Sequence, residues 1–195
     1  LDAQPLLVKP ALPHIVAIDG SAIYTEIINS QSHAPAIIFC HGFTGSGFGP
    51  LSDPIASQLS KHYLVCRFDF RGQVSSEGEF FKSSITRELE DLSSVVDYVR
   101  HTHHPSKLIL LGHSFGAAIA LLYTQHHTVD GIISISGEGD LEKGIDIEFN
   151  EEQVAELERT GKTSIVNWSK DGKLEDVGRQ FLDDMRKYST VQAAQ

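Results

Sequence analysis

Residues 110–118 read LLGHSFGAA, a serine between two glycines that follows an apolar run and precedes an alanine-rich one. The run at residues 107–112 has the length and composition of a buried strand, and residues 114–127 have those of a helix. A Gly-x-Ser-x-Gly sequence at such a junction forms a sharp turn, the nucleophile elbow, which holds the serine above the sheet in a strained backbone conformation. We therefore predict that Ser114 is a nucleophile at the end of a strand.

The residues around the serine support this interpretation. Side chains at positions 112 and 116 would collide in so tight a bend, which explains the two glycines. The small Ala117 and Ala118 allow the helix to pack closely on the sheet. The helix N-terminus also brings backbone N–H groups and a positive dipole end to Ser114, where they would stabilise an oxyanion. The alternative is that Ser114 only caps the helix, a role that serine often fills.

A second glycine-rich segment, CHGFTGSG at residues 40–47, follows an earlier apolar run. By itself, this segment is best interpreted as a glycine-rich turn. An oxyanion hole next to a nucleophile elbow, however, needs one N–H from the residue after the serine and another from the loop after an earlier strand. We therefore predict that Phe115 and Phe43 are the two backbone donors.

Strands and helices alternate along most of the chain. HIVAI (14–18) and AIYTEIINS (22–30) predict antiparallel edge strands joined at Asp19-Gly20, because this pair accepts the positive φ of a tight turn. The other elements are predicted strands at 34–40, 62–70, 107–112 and 129–136, and predicted helices at 51–60, 83–100 and 114–127. This alternation predicts an α/β fold with a mainly parallel sheet, helices on both faces and ligands at the carboxyl ends of the strands.

The composition excludes several classes of partner. The 195 residues include 16 Lys and Arg against 26 Asp and Glu, a net charge of −10 that repels phosphate backbones and anionic lipids. Neither a nucleic acid nor a membrane is therefore an expected partner, and no apolar segment is long enough to cross a bilayer. Cys40 and Cys66 lie in apolar runs typical of buried free thiols, which favours a reducing compartment such as the cytoplasm.

The composition changes after the last predicted strand to a charged segment at residues 137–188. This segment contains a helical stretch near 150–159 and a hairpin signal at Asp171-Gly172. We predict an α/β core in residues 1–136, a lid insertion in residues 137–188 and the beginning of a further part of the core in residues 189–195.

Three motifs together resemble a known family: HGFTG (41–45), FDFRG (68–72) followed by SEGEF, and GHSFG (112–116). In this order, with these strands between them, they are similar to the α/β-hydrolase superfamily, most closely its small serine esterases of the cinnamoyl or feruloyl type. The resemblance covers residues 20–136, and the insertion lies where that family carries its lid. It implies Ser114 as the nucleophile, Phe43 and Phe115 as backbone oxyanion donors, a small-molecule acyl ester as the substrate, and neither a cofactor nor a metal ion.

The sequence departs from the family pattern in two places. Where the family usually continues its Arg-Gly with His-Gly, this chain has Gln73-Val74, so we expect that loop to be shaped differently. The family also supplies its acid and its histidine on two further strand ends, after the point at which this sequence stops. We therefore expect a fragment whose triad acid and histidine are not in this chain, and, since it begins at Leu1, one from which a preceding segment is missing as well.

None of the histidines present is expected to act as the base. We interpret His41 as a buried turn residue and expect the side chain of His113 to point away from the elbow. The remaining clusters are predicted to end helices, where an imidazole interacts favourably with the dipole: His101, His103 and His104, and His126 and His127. A metal site at the first cluster is the alternative.

Two acidic residues, Glu138 and Asp140, follow the last predicted strand and are within reach of the acid position. We interpret both as solvated residues of the lid. Two classes of function remain open: a serine ester hydrolase present as a fragment, and a non-catalytic module of the same fold that binds an apolar ligand or a partner. The intact HGFTG and GHSFG motifs favour the enzyme.

For the complete enzyme, we predict hydrolysis of small to medium, partly aromatic acyl esters through an acyl-enzyme intermediate. The aromatic residues predicted near the strand ends are Phe43, Phe48, Phe115 and Trp168, and such side chains suit the pocket of an aromatic acid. For the 195 residues alone we predict little turnover, because without a base Ser114 stays protonated near neutral pH.

Overall fold

A computed structural model describes residues 14–29 and 33–194; the other residues, which include the predicted strand end at Ser30, lie outside the described part. The strands of the main sheet are β1 (His14–Val16), β2 (Ala22–Ile28), β3 (Ala36–Cys40), β4 (Leu64–Phe68), β5 (Leu108–His113) and β6 (Gly131–Ile135). A separate hairpin consists of β7 (Lys162–Asn167) and β8 (Lys173–Gly178). The helices are α1 (Ser52–Leu59), α2 (Ile85–His103), α3 (Phe115–Tyr123), α4 (Leu141–Glu148), α5 (Glu151–Thr160), α6 (Arg179–Lys187) and α7 (Thr190–Ala193).

The main sheet has the strand order β1-β2-β4-β3-β5-β6. Strands β4, β3, β5 and β6 are parallel, whereas β1 and β2 are antiparallel to their neighbours. Every residue of β3 is buried, as expected for a central strand covered on both faces. The predicted α/β fold with a mainly parallel sheet is confirmed.

The predicted edge hairpin is also confirmed, with β1 and β2 paired so that Ile15 lies opposite Ile23. Its turn contains Gly20 at a φ of 87°, a conformation that glycine adopts without strain.

Helices cover both faces of the sheet. On one face, α2 buries a stripe of Leu92, Val95, Val96 and Val99 against the main core, to which α3 also contributes. On the other face, α1 packs Ile55 and Leu59 against residues of β3 and β5. Helix α3 ends at Tyr123, which is shorter than predicted, because the backbone N–H groups of residues 124–126 turn back to carbonyls three residues earlier.

The segment after β6 packs against the same core as the sheet. The predicted helix and hairpin of this segment are confirmed as α5 and as β7 and β8, with the turn at Asp171 and Gly172. Helices α4 and α6 were not predicted from the sequence. Helix α6 buries Phe181, Leu182 and Met185 in the cluster that also contains the apolar side chains of α2 and α3.

The loop after β4 is organised by a buried arginine. Arg71 forms ion pairs with Asp91, Glu90 and Asp19. Three residues later the chain passes through Val74 at a φ of 38°, a region that residues other than glycine rarely adopt. This is the position at which the sequence departs from the family's usual glycine.

Cys40 and Cys66 are buried free thiols, and burial raises the pKa of both. Within residues 14–29 and 33–194, none of the helices combines the length and the apolar character that crossing a membrane requires.

Candidate active site

Ser114 lies between β5 and α3 with a φ of 51° and a ψ of −124°. Few residues other than glycine adopt this combination, so the backbone here is strained. Two hydrogen bonds maintain this conformation. The Ser114 N–H donates to the carbonyl of Ile135 at 2.9 Å, and the Ser114 carbonyl accepts from the Ala117 N–H at 3.0 Å. The side chain makes no capping hydrogen bond to the helix. Helix capping therefore does not explain why a serine stands here.

The two glycines of the motif are required by close contacts, as predicted. A Cβ added to Gly112 would lie 2.3 Å from the Cα of Ala117, and one added to Gly116 would lie 2.3 Å from the carbonyl oxygen of Cys40. Real Cβ atoms do not come so close to backbone atoms. The strand, the turn and the helix can pack this tightly only with glycine at both positions.

The loop after β3 passes directly beside the serine. A Cβ added to Gly42 would lie 3.1 Å from the Cβ of Ser114. The loop turns back on itself through a hydrogen bond from the Gly45 N–H to the Gly42 carbonyl at 2.9 Å. Between them, the Phe43 N–H makes no backbone hydrogen bond within the described residues. An N–H that the fold leaves unused beside Ser114 is available to a ligand oxygen.

Phe115 begins α3, where the first N–H groups of a helix have no intrahelical acceptor. Its ring contacts that of Phe43 at a centroid distance of 5.9 Å. Both rings stack on Phe181 of α6, at 4.1 Å from Phe43 and 5.2 Å from Phe115. The structure thus brings the two predicted donors together and packs a residue of the 137–188 segment against both.

A cavity of about 420 Å³ opens at Ser114. Its apolar wall is formed by Phe39, Phe43, Phe48, Leu51, Val74 and Trp168. Among the described residues, none of those that line it is Asp, Glu, Lys or Arg. Of the four aromatic residues predicted near the strand ends, three lie in the wall, and Phe115 is fully buried outside it. The cavity suits an uncharged ligand with apolar and aromatic parts.

All ten histidines lie in the described part of the chain, and only His41 and His113 line this cavity. His41 is buried, with its Nδ1–H donating to the Gly42 carbonyl at 2.9 Å and its Nε2 accepting from the Phe70 N–H at 3.1 Å. Burial lowers the pKa of His41, which keeps the ring neutral. Because both ring nitrogens are hydrogen-bonded to backbone groups, His41 is a structural residue of the turn, as predicted.

His113 lies on the cavity wall, although its side chain was expected to point away from the elbow. Its Nδ1 is 3.5 Å from the point where a Cβ of Gly42 would lie. The imidazole therefore faces the loop after β3. His113 is the last residue of β5, which places it at the same edge of the sheet as Ser114. Its position at the end of a strand, next to the serine, was the signal available in the sequence.

The two acidic candidates lie away from the cavity. Asp140 caps α4 and pairs with Lys143, whose contact lowers the pKa of Asp140. The prediction that Glu138 is solvated is wrong: its carboxyl is partly buried, and burial raises its pKa. The reason is that α4 folds back and brings Glu148 against it, while Gly144 leaves room for its Oε2.

Several residues of the cavity wall were missed by sequence reasoning. They come from the loops after β3 and β4 and from the hairpin: Ser46, Leu51, Val74 and Ser169. The Ser169 N–H donates to the Thr44 carbonyl at 3.0 Å, which attaches the β7–β8 hairpin to the loop that carries Phe43. The positions of the first three after parallel strands were visible in the sequence, but which of these side chains face the cavity depends on loop conformation.

Comparison with known proteins agrees with this geometry. Rat monoglyceride lipase is 32% identical over 113 residues, which cover 57% of this chain and 37% of that protein. The chain thus spans little more than a third of that relative's length. A Butyrivibrio proteoclasticus protein, Est1E, solved with ferulic acid bound, superposes with a TM-score of 0.75 at 17% identity, over 91% of this chain and 72% of that one. The Pyrococcus furiosus esterase PF2001 superposes with a TM-score of 0.59 at 24% identity, over 67% and 51%.

The family model described as the alpha/beta hydrolase fold matches residues 35–168, which contain β3 to β6, the turn at Ser114 and the loop of Phe43. On this match, together with the sheet order and the strained serine between strand and helix, the chain belongs to the α/β-hydrolase fold family.

Proposed function

We propose that this chain carries the nucleophile and the oxyanion-binding part of a serine hydrolase that acts on carboxylic esters. The observation that carries the proposal is the geometry of Ser114, a strained residue whose side chain does not cap its helix and which lies on the wall of an apolar cavity. Local strain of this kind persists at sites where function requires it.

In the proposed reaction, the Ser114 Oγ attacks the acyl carbon and its proton leaves to a general base. The negative charge that develops on the carbonyl oxygen is stabilised by the N–H groups of Phe43 and Phe115 and by the N-terminal end of α3. The alcohol then leaves with a proton from the same base, and water hydrolyses the acyl-enzyme.

The base is the part of this reaction that the described residues do not supply. The nitrogens of His41 are both bonded to backbone, and His113 is adjacent to the nucleophile in sequence, with its Nδ1 facing the loop of Gly42. We therefore propose that the triad acid and histidine of the complete enzyme lie outside these 195 residues, and that the chain alone turns over esters slowly.

We propose small to medium acyl esters with aromatic character as the substrates. The cavity volume of about 420 Å³ and the rings of Phe39, Phe48 and Trp168 support this class, and no charged side chain in the described wall would pair with an ionic substrate. The ferulic acid bound in Est1E and the lipase relative are consistent with it.

Chemical rescue tests the proposal on the chain itself. Imidazole in solution replaces a missing histidine, so it should accelerate the burst of 4-nitrophenol from 4-nitrophenyl butyrate by the 195-residue chain. Ser114→Ala should remove the imidazole-dependent burst, whereas the control Ser57→Ala, on the exposed side of α1, should retain it. A burst that persists in Ser114→Ala would place the nucleophile elsewhere.

Since the described lining of the cavity supplies no free base, one second candidate is a non-catalytic module that binds an apolar ligand in the same cavity. This alternative predicts that Ser114→Ala binds the ester as tightly as the unmodified chain and that no acylated Ser114 forms at any imidazole concentration. Mass spectrometry of the intact chain after incubation with the ester distinguishes the two.

A further inference from the structure

Asp69 is a fully buried carboxylate at the end of β4. None of the ion pairs formed by the described residues includes it. A buried carboxylate without a cation is costly unless several donors are directed at it. The hydrogen-bond donors around Asp69 therefore indicate which parts of the structure this carboxylate stabilises.

The two oxygens of Asp69 bond two different loops. Its Oδ1 accepts from the Ser46 Oγ at 2.7 Å and from the Gly47 N–H at 2.9 Å, both in the loop after β3. Its Oδ2 accepts from the Ser75 N–H at 3.2 Å, in the loop after β4. One carboxylate thus connects two segments that are neighbours in space but far apart in sequence.

Both connected loops form walls of the cavity at Ser114. Ser46 and Phe48 line it from the first loop, and Val74 lines it from the second. The connection to the first wall extends further, because the Phe48 N–H donates to the Ser46 Oγ at 3.0 Å. The carboxylate of Asp69 is therefore hydrogen-bonded to both of the loops that form these apolar walls.

We propose that Asp69 is a positioning residue that sets the width of the cavity by holding its two loop walls together, and that ester binding at Ser114 depends on it. The inference rests on the proposed function. An ionised carboxylate has two acceptor oxygens, whereas an asparagine has one and turns an NH₂ donor toward the other loop's donors. Asparagine therefore keeps the size of the side chain but can accept hydrogen bonds from only one of the two loops.

The test uses the Ser114→Ala chain, in which binding is separated from chemistry. Trp168, the only tryptophan, lies in the cavity wall, so its fluorescence reports the binding of ethyl ferulate directly. We expect Asp69→Asn to weaken binding about tenfold. The matched control is Asp130→Asn, since Asp130 also accepts a backbone N–H, from Leu108 at 2.7 Å, but at the far end of β5. It should leave the affinity unchanged.

Amide hydrogen exchange supplies a readout that does not depend on the ester. In Asp69→Asn, exchange at Gly47 and Ser75 should accelerate together, while exchange in β5 stays as in the chain that keeps Asp69. Should Asp69→Asn fail to fold, Ser46→Ala removes one of the two Oδ1 donors and is expected to weaken binding about threefold. Unchanged binding in Ser46→Ala would then overturn the inference.

The outcomes separate the inference from the proposed function. Equal ester affinity in Asp69→Asn and the parent chain, or unchanged exchange at either loop, overturns the inference and leaves the hydrolase proposal standing. Faster exchange at both loops in a chain that does not bind the ester at all supports the positioning role and rejects the proposed substrate class.

Discussion

The carboxyl groups of Glu138 and Glu148 should make the fold less stable as the pH rises. Burial, with the charge of Glu138 as a further cause, raises the pKa of Glu148 from 4.5 to about 8. Since the pKa in the folded state lies above that in the unfolded state, protonation stabilises the fold. This contribution is fully present below pH 4.5 and is lost as the pH rises through about 8. Burial also raises the pKa of Glu88, near Glu148, which adds an effect of the same sign.

The magnitude follows from the shift. One pKa unit corresponds to about 1.4 kcal/mol, so the full shift sets an upper limit of about 5 kcal/mol. Glu148 is partly exposed, and its pKa also depends on the charge of Glu138, so the effect is smaller than this limit. We expect the free energy of unfolding to fall by about 2 kcal/mol between about pH 5.5 and pH 8.5.

Glu148→Gln removes the titrating group while it keeps the size of the side chain. The variant should lose much of the pH dependence and be more stable than the parent by about 1 to 2 kcal/mol at about pH 8.5. Urea unfolding followed by circular dichroism at a series of pH values measures both quantities. The control is Asp146→Asn, an exposed carboxylate on the same helix, which should leave the pH dependence unchanged.

Two results would refute this reasoning. The first is a parent chain whose stability rises with pH over the same interval. The second is a Glu148→Gln variant that retains the slope of the parent, since the titration would then belong to other groups.

Three further changes test the packing, each by urea unfolding. Gly116→Ala should destabilise the chain by about 3 kcal/mol or more, because the new Cβ would lie 2.3 Å from the carbonyl oxygen of Cys40. The control Gly20→Ala, which has open space around it, should cost about 1 kcal/mol. Equal costs would contradict the close contact at Gly116. Phe181→Ala should cost about 3 to 5 kcal/mol, since the ring is fully buried, and a loss below 1 kcal/mol would exclude α6 from the core. Asp91→Asn should cost about 2 kcal/mol because it removes the one fully buried carboxylate of the three that pair with Arg71, and an unchanged midpoint would show that this pair is dispensable.

The sheet and the sharp turn at Ser114 could be predicted because their signals are local. The apolar runs of β3 and β5 have the length of buried strands, and the glycines around Ser114 are explained by contacts within a few residues of it or with an adjacent strand. The position of the Phe43 loop beside Ser114 was predictable for the same reason, since this loop follows the strand that pairs with β5.

The features that could not be predicted depend on contacts between distant parts of the chain. Helix α6 is rich in charged residues, and its role as a core helix becomes visible only when Phe181 is seen against Phe43. The burial of Glu138 was missed because a carboxylate after a strand is normally solvated, and only the return of α4 with Glu148 removes it from water. Asp69 could be recognised as part of a motif, but the two loops that it joins could not.

The strand order has a consequence for the sequence of folding events. Strand β3 is fully buried, yet both of its partners, β4 and β5, come later in the chain. During synthesis from the N-terminus, the apolar run of β3 therefore leaves the ribosome well before it can pair on either side. The partner on its β5 side arrives after about seventy further residues. Until β5 is made, at least one edge of the central strand has no partner, and unpaired apolar strand edges favour aggregation.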